Sequence, residues 1–205
     1  MNDEDLTIGV LALQGDYDAH RQTFNRLGVH AQLVRKPEEL DGVDGLVIPG
    51  GESSTFLKFL EREGFLDKLR DFVSHKPAFG TCAGAILLAK EVLNPEQDSL
   101  GALDIAIQRN AYGRQVDSSI MTAPTKLEGP PLEMVFIRAP RIERVGKGVQ
   151  VLAERENHPV LVKEGRILAA TFHPELSNDS RVHQLFVEMV REKRTGSSSE
   201  VRRSG

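Results

Sequence analysis

Lys76-Pro77-Ala78-Phe79-Gly80-Thr81-Cys82-Ala83-Gly84-Ala85-Ile86-Leu87-Leu88-Ala89 is the stretch whose reading decides the fold, and it holds the one cysteine of the chain. A short apolar run opened by Pro77 precedes Cys82 and predicts a buried strand. Ala85 to Val92, rich in Ala, Leu and Ile and free of Gly and Pro, predicts a buried helix. Gly80 and Gly84 flank the cysteine in the spacing G-x-C-x-G, the thiol form of the G-x-S-x-G nucleophile elbow. A nucleophile on a tight strand-to-helix turn needs tiny neighbours two positions away, because strand and helix pass close there. Its sulfur sits at a helix N-terminus, where unsatisfied N–H groups favour a thiolate. The backbone N–H of the next residue, Ala83, is aimed at a developing oxyanion. A lone cysteine is more often a buried structural thiol. Strand, glycines and helix together favour the nucleophile, provided the chain also supplies a base.

Upstream of this stretch the pattern alternates between strand and helix. Leu6 to Leu13 is a near-continuous apolar run, as in a central parallel strand, and Gln14-Gly15-Asp16 breaks it. Asp18 to Leu27 predicts a helix closed by Gly28. Ala31 to Val34 and Leu46 to Ile48 predict two more strands. The second of these ends in Pro49-Gly50-Gly51-Glu52-Ser53-Ser54, where adjacent glycines let backbone N–H groups approach a ligand. Ser53 or Ser54 is expected to cap the helix that follows, and Phe65 to Val73 continue at helical spacing after Gly64. Strands alternating with helices predict a three-layer α/β fold: a mostly parallel sheet, helices on both faces, and sites at the strands' carboxyl ends. Both Gly50-Gly51 and Cys82 fall at such ends.

Downstream the chain changes character. Leu103–Gln108, Ser119–Thr125, Met134–Ile137, Val149–Ala153, Pro159–Lys163 and Ile167–Phe172 predict short strands separated by turns, an antiparallel addition to the α/β core. Val182 to Val190 predicts a last helix. Residues 195–205, rich in Ser, Gly and Arg, are expected to form a disordered tail behind a single domain over residues 1–194.

At 205 residues the chain is long enough to bury a substantial core. A net charge of -4 argues against a general nucleic-acid or anionic-membrane binder. One cysteine excludes an internal disulfide and a cysteine-based zinc site. The acidic start, Met1-Asn2-Asp3-Glu4-Asp5, has no apolar segment of the kind that directs secretion, so a cytoplasmic protein is expected.

Thiol chemistry needs a proton acceptor. About 3% of an unperturbed thiol is ionised at pH 7, so an imidazolium neighbour has roughly a 25-fold gain in thiolate to offer, partly offset by weaker nucleophilicity. Of six histidines, His20, His30, His75, His158 and His183 lie on predicted helices or in ordinary loops, where a surface or structural role is expected. His173 differs: it follows a buried strand directly, is held by Pro174, and has a carboxylate at Glu175. Cys82, His173 and Glu175 divide into nucleophile, base and orienting carboxylate.

With these motifs assembled, the chain resembles the class I (triad) glutamine amidotransferase family, with its flavodoxin-like sheet, and within it the glutaminase subunits of pyridoxal 5′-phosphate synthase. The resemblance is carried by Leu13-Gln14-Gly15, Pro49-Gly50-Gly51-Glu52-Ser53, Phe79-Gly80-Thr81-Cys82-Ala83-Gly84, Gln108-Arg109-Asn110-Ala111-Tyr112-Gly113-Arg114-Gln115, Phe136-Ile137-Arg138-Ala139-Pro140 and Phe172-His173-Pro174-Glu175-Leu176. It implies hydrolysis of L-glutamine without a cofactor or metal. Gly51 and Ala83 would hold the oxyanion. Gly51, Glu52, Ser53, Arg109, Ile137 and Arg138 would bind glutamine. It also implies a partner, a (β/α)-barrel synthase subunit in a hetero-oligomer that receives the ammonia, with Gln14 on the partner side. The sequence departs from that pattern at Ala19, where relatives usually carry a glutamate, which bears on the partner contact. Two rival readings stand beside this one: a free-standing thiol amidase or γ-glutamyl hydrolase, and a non-catalytic cysteine redox sensor.

Overall fold

The computed structural model describes residues 6–109, 111 and 118–201, the last six as backbone. In chain order its elements are β1 (Thr7–Leu11), α1 (Tyr17–Arg26), β2 (His30–Val34), β3 (Gly45–Ile48), α2 (Ser53–Arg62), α3 (Phe65–His75), β4 (Ala78–Thr81) and α4 (Ala83–Leu88). Then follow β5 (Ala89–Leu93), β6 (Leu103–Gln108), β7 (Ser118–Ala123), β8 (Leu132–Ile137), β9 (Arg141–Val145), β10 (Gln150–Arg155), β11 (His158–Glu164), β12 (Ile167–Ala170) and α5 (Arg181–Val201).

Seven strands form the main sheet in the order β10-β11-β12-β4-β3-β1-β2. The five from β12 to β2 are parallel, while β10 and β11 add antiparallel pairings at one edge. Successive residues of a strand point to opposite faces, so each parallel strand feeds two cores. On β3, Leu46 and Ile48 join one cluster with Phe56 and Leu60 of α2 and Leu69 and Phe72 of α3. Val47 joins the other, with Phe24 of α1 and Val182, Phe186 and Val190 of α5. This is the three-layer, mostly parallel α/β architecture expected, with β5-β6-β9 and β7-β8 as smaller added sheets.

Two expectations are corrected, and one strand was not anticipated. The helix after Cys82 ends at Leu88, and Ala89–Leu93 is a strand. Pairing with β6 buries Ala89 and Val92 on the core side and leaves Lys90 and Glu91 outside, and that tertiary gain overrides helix propensity. Strand β9 carries three charged residues and has one buried side chain, Ile142, so no apolar alternation announced it. The last helix continues well beyond Val190, to Val201, while residues 202–205 lie outside the described residues. Among the described residues no helix is long and apolar enough to cross a membrane.

The topology places four chain breaks side by side. The carboxyl ends of the neighbouring strands β12, β4, β3 and β1 lead directly into His173, Cys82, Gly50-Gly51 and Gln14-Gly15-Asp16.

Candidate active site

Cys82 sits between β4 and α4 with φ 49° and ψ -107°, a conformation that costs a non-glycine residue about 1–3 kcal/mol. Its backbone N–H donates to Ala170 O of β12 at 2.9 Å, which ties the turn to the adjacent strand. The flanking glycines are required by space. A Cβ on Gly84 would overlap the Ile48 carbonyl oxygen, and one on Gly80 would overlap the Gly84 carbonyl. The close approach read from the G-x-C-x-G spacing is therefore physical: α4 leaves the turn in contact with both β3 and β4.

His173 stands three residues beyond Ala170, the last of β12, and its backbone N–H donates to Val135 O of β8 at 2.8 Å. Its Nδ1 lies 2.7 Å from Glu175 Oε1, and both residues are buried. The Gly50 backbone passes over the pair. A Cβ there would stand 2.8 Å from His173 Cε1 and 3.3 Å from Cys82 Cβ, so the cysteine and the imidazole share one glycine as their roof. Burial works against charge on His173, but hydrogen bonding to Cys82 and to Glu175, together with the Glu175 charge, lifts its pKa to about 10. Burial likewise works to raise the Glu175 carboxyl, and the interactions with His20 and His173 outweigh it and hold the group below the ordinary glutamate value.

Cys82 and His173 open into a cavity of about 350 Å³ also lined by Gly51, Glu52, Ser53, Arg109, Ile137 and Arg138. All six residues expected to bind glutamine thus meet around one space. Glu52 has a further job, because its carboxylate caps α2 by accepting from Ser54 N at 3.1 Å and Thr55 N at 2.7 Å. The cap is Glu52, not Ser53 or Ser54 as expected, since two oxygens can serve two N–H groups at once. Those hydrogen bonds, from Thr55 and then Ser54, lower its pKa to about 2. Arg109 donates to Ser54 Oγ and lies 3.6 Å from Glu52 Oε1, so it is fastened to the same loop. Arg138 is exposed and held at φ 43°. Gln14 packs its amide against Gly51, whose φ is 136°, so that a Cβ on Gly51 would overlap it. The Asn110 and Tyr112–Gln115 part of the quoted motif lies outside the described residues.

Asp16, Ile86 and Pro140 also line the cavity and were not singled out from the sequence. Donor atoms of Asp16, His173 and Glu175 lie within 4.8 Å of one another, but a cation there would compete with the His173–Glu175 hydrogen bond. His20 was read as structural or exposed; it is wholly buried, with Nε2 3.3 Å from Glu175 Oε2. A signal existed: His20 precedes Phe24 by four residues, on the same helical stripe.

A model of the SNO glutamine amidotransferase family matches residues 10–192. This chain belongs to that family. The pyridoxal 5′-phosphate synthase subunit PdxT of Koribacter versatilis (strain Ellin345) is 63% identical over 191 residues, covering 93% of this chain and 99% of that protein. PdxT of Solibacter usitatus (strain Ellin6076) is 50% identical over 194 residues, covering 89% and 98%. A crystal structure of a glutamine amidotransferase superposes with a TM-score of 0.82 at 48% identity, covering 89% of this chain and 98% of that one. A Thermotoga maritima glutamine amidotransferase at 12% identity, with a TM-score of 0.58, covers 95% of this chain and 86% of its own and shares the fold. The recognition drawn from the elbow, the Gly-Gly loop and the His-Pro-Glu turn agrees with these relatives.

Proposed function

We propose that the chain is the glutaminase subunit of a pyridoxal 5′-phosphate synthase, hydrolysing L-glutamine to L-glutamate and ammonia through Cys82, His173 and Glu175. The observation that carries this reading is the meeting of Cys82 and the Glu175-bound His173 on the wall of one cavity. With Nδ1 committed to Glu175, His173 keeps Nε2 for the thiol and for the leaving group. Cys82 sulfur attacks the side-chain amide carbon, and the carbonyl oxygen takes the charge, facing the N–H groups of Gly51 and Ala83. The imidazolium gives its proton to the departing nitrogen, so ammonia leaves and a thioester remains. Water, deprotonated by the now neutral His173, attacks the thioester; glutamate leaves and the thiol is restored.

The cavity walls suit a zwitterion. Arg109 and Arg138 supply positive charge for the α-carboxylate, while Glu52 supplies negative charge near the ammonium and keeps its loop in order. Arg138 is exposed on the cavity wall, so Arg138→Ala is expected to raise the glutamine KM by roughly 10- to 100-fold, with kcat within a few-fold. Steady-state kinetics check this, and an unchanged KM removes Arg138 from the site.

Released into water, ammonia protonates and is lost as a nucleophile, so the reading includes a (β/α)-barrel synthase subunit that receives it, with Gln14 on its side of the site. A reducing, cytoplasmic setting suits a free thiol nucleophile. The test is ammonia release from glutamine by the purified chain, alone and with the synthase subunit. Strong stimulation is expected. High activity that the synthase leaves unchanged would favour the free-standing hydrolase, and no activity in either case would overturn the glutaminase reading.

A further inference from the structure

Glu175 has two carboxylate oxygens, and the triad uses one of them. Oε1 faces His173 Nδ1 at 2.7 Å. Oε2 is buried and makes no aligned hydrogen bond among the described residues, although His20 Nε2 stands 3.3 Å away. A carboxylate oxygen cut off from water needs a donor. His20, on the inner face of α1, is wholly buried, and its second nitrogen, Nδ1, lies 3.0 Å from Nε2 of His183, wholly buried on α5. A line of side chains therefore runs from the cavity into the core: His173, Glu175, His20, His183.

The line has a direction. If His183 Nε2–H donates to His20 Nδ1, then His20 must carry its proton on Nε2, between Thr81 Oγ1 and Glu175 Oε2. The His183 nitrogen left over, Nδ1, is then a bare acceptor, and it is buried without a partner. The reverse arrangement puts an unpaired N–H on that nitrogen and turns a lone pair of His20 toward the Glu175 charge, which costs more on both counts.

We propose that His20 is a positioning residue of the glutaminase triad, its Nε2–H shared between Thr81 Oγ1 and Glu175 Oε2, each 3.3 Å away, and held in that tautomer by His183. The inference rests on the triad reading above. The groups facing His20 are Glu175 and His173 from the turn after β12, Asp16 from the turn after β1, His183 from α5, and Thr81 at the end of β4, whose Oγ1 is hydrogen-bonded to Nε2 at 3.3 Å. Phe79 meets the His20 ring edge-on, and Phe24 and Phe79 do the same for His183, so the pair lies in an aromatic enclosure. Burial keeps both rings below the ordinary histidine pKa, so at neutral pH each offers a single N–H and no charge. A neutral donor fixes the carboxylate without cancelling it, and the whole Glu175 charge remains available to the His173 imidazolium.

The test is the pH dependence of glutaminase turnover in the complex with the synthase subunit, for wild type, His20→Leu and His20→Gln. Leu fills the space without a donor; Gln restores an N–H close to the position of Nε2. His20→Leu is expected to lower kcat by about 10- to 100-fold with glutamine KM within threefold, and to move the alkaline limb to lower pH. His20→Gln is expected to recover most of kcat and the position of the limb. A wild-type kcat and limb in His20→Leu would overturn the inference. So would a loss of kcat with the limb in place and no recovery by Gln, which would mark His20 as packing only. If His20→Leu does not fold, His183→Phe keeps an aromatic ring beside Phe24 and removes the Nε2–H; a limb unmoved in that variant would also overturn the inference. Wild-type complex without Cys82-dependent turnover would overturn the triad reading itself, which separates that failure from a failure of His20 alone.

Discussion

Cys82→Ala is expected to lower glutamine turnover by roughly 10⁴-fold or more, the scale on which nucleophile removal acts in triad hydrolases. That factor corresponds to at least about 5.5 kcal/mol of transition-state stabilisation. The loss is large because no covalent path remains: alanine keeps the turn but has no atom that can attack the amide carbon. The structure of the variant should be intact. Alanine accepts the φ of 49° no worse than cysteine does, and the glycines that make the turn possible are untouched. Thermal unfolding of Cys82→Ala is therefore expected within a few degrees of wild type, since one buried sulfur at the cavity edge is all that is lost. The synthase should still bind it. Turnover retained within tenfold of wild type would refute the covalent mechanism, and a collapse of folding together with activity would leave Cys82 a structural thiol.

What made the elbow legible in the sequence is steric. A cysteine at φ 49° between a strand and a helix permits only glycine two residues to either side, so the demand is written in residue types at fixed spacing. The parallel sheet was legible for a similar reason. Strands buried on both faces read as unbroken apolar runs, as Leu46-Val47-Ile48 does. His173 was legible because its carboxylate partner lies two residues on, within one turn.

His20 was not legible as part of the site, because its partners Glu175 and His183 lie more than 150 residues away and only the sheet order brings them together. Strand β5 was missed because Ala-Lys-Glu-Val-Leu suits a helix equally well in isolation, and pairing with β6 decides it. The Glu52 cap escaped for a different reason. Serine is the ordinary capping residue, and the competing acid sat one position earlier in the same loop. Local constraints thus show in sequence, whereas partners chosen by topology do not.

That contrast bears on how the load is shared between His173 and Glu175. His173→Asn is expected to cost about 10³- to 10⁴-fold in kcat, and Glu175→Gln about 10²-fold, because in the proposed mechanism the imidazole transfers protons in both half-reactions while the carboxylate only orients and charges it. Glutamine at position 175 keeps an amide oxygen that can still accept from His173 Nδ1, so tautomer and ring orientation survive in part. What it removes is the negative charge. In wild type the imidazolium persists up to about pH 10, so turnover that needs a protonated His173 should hold to that pH and fall above it. The sign for stability follows the same path: the raised pKa contributes stability in full below the ordinary histidine value of 6.5, and that contribution is lost as pH climbs through about 10. In Glu175→Gln, burial is opposed by Cys82 and one neutral hydrogen bond without the Glu175 charge, so the alkaline limb of turnover must move down in pH. Rate–pH profiles of the two variants in the synthase complex decide the roles. A Glu175→Gln loss equal to that of His173→Asn would make the carboxylate a participant in proton transfer, and an unmoved alkaline limb would mean that the charge of Glu175 does not set the state of the imidazole.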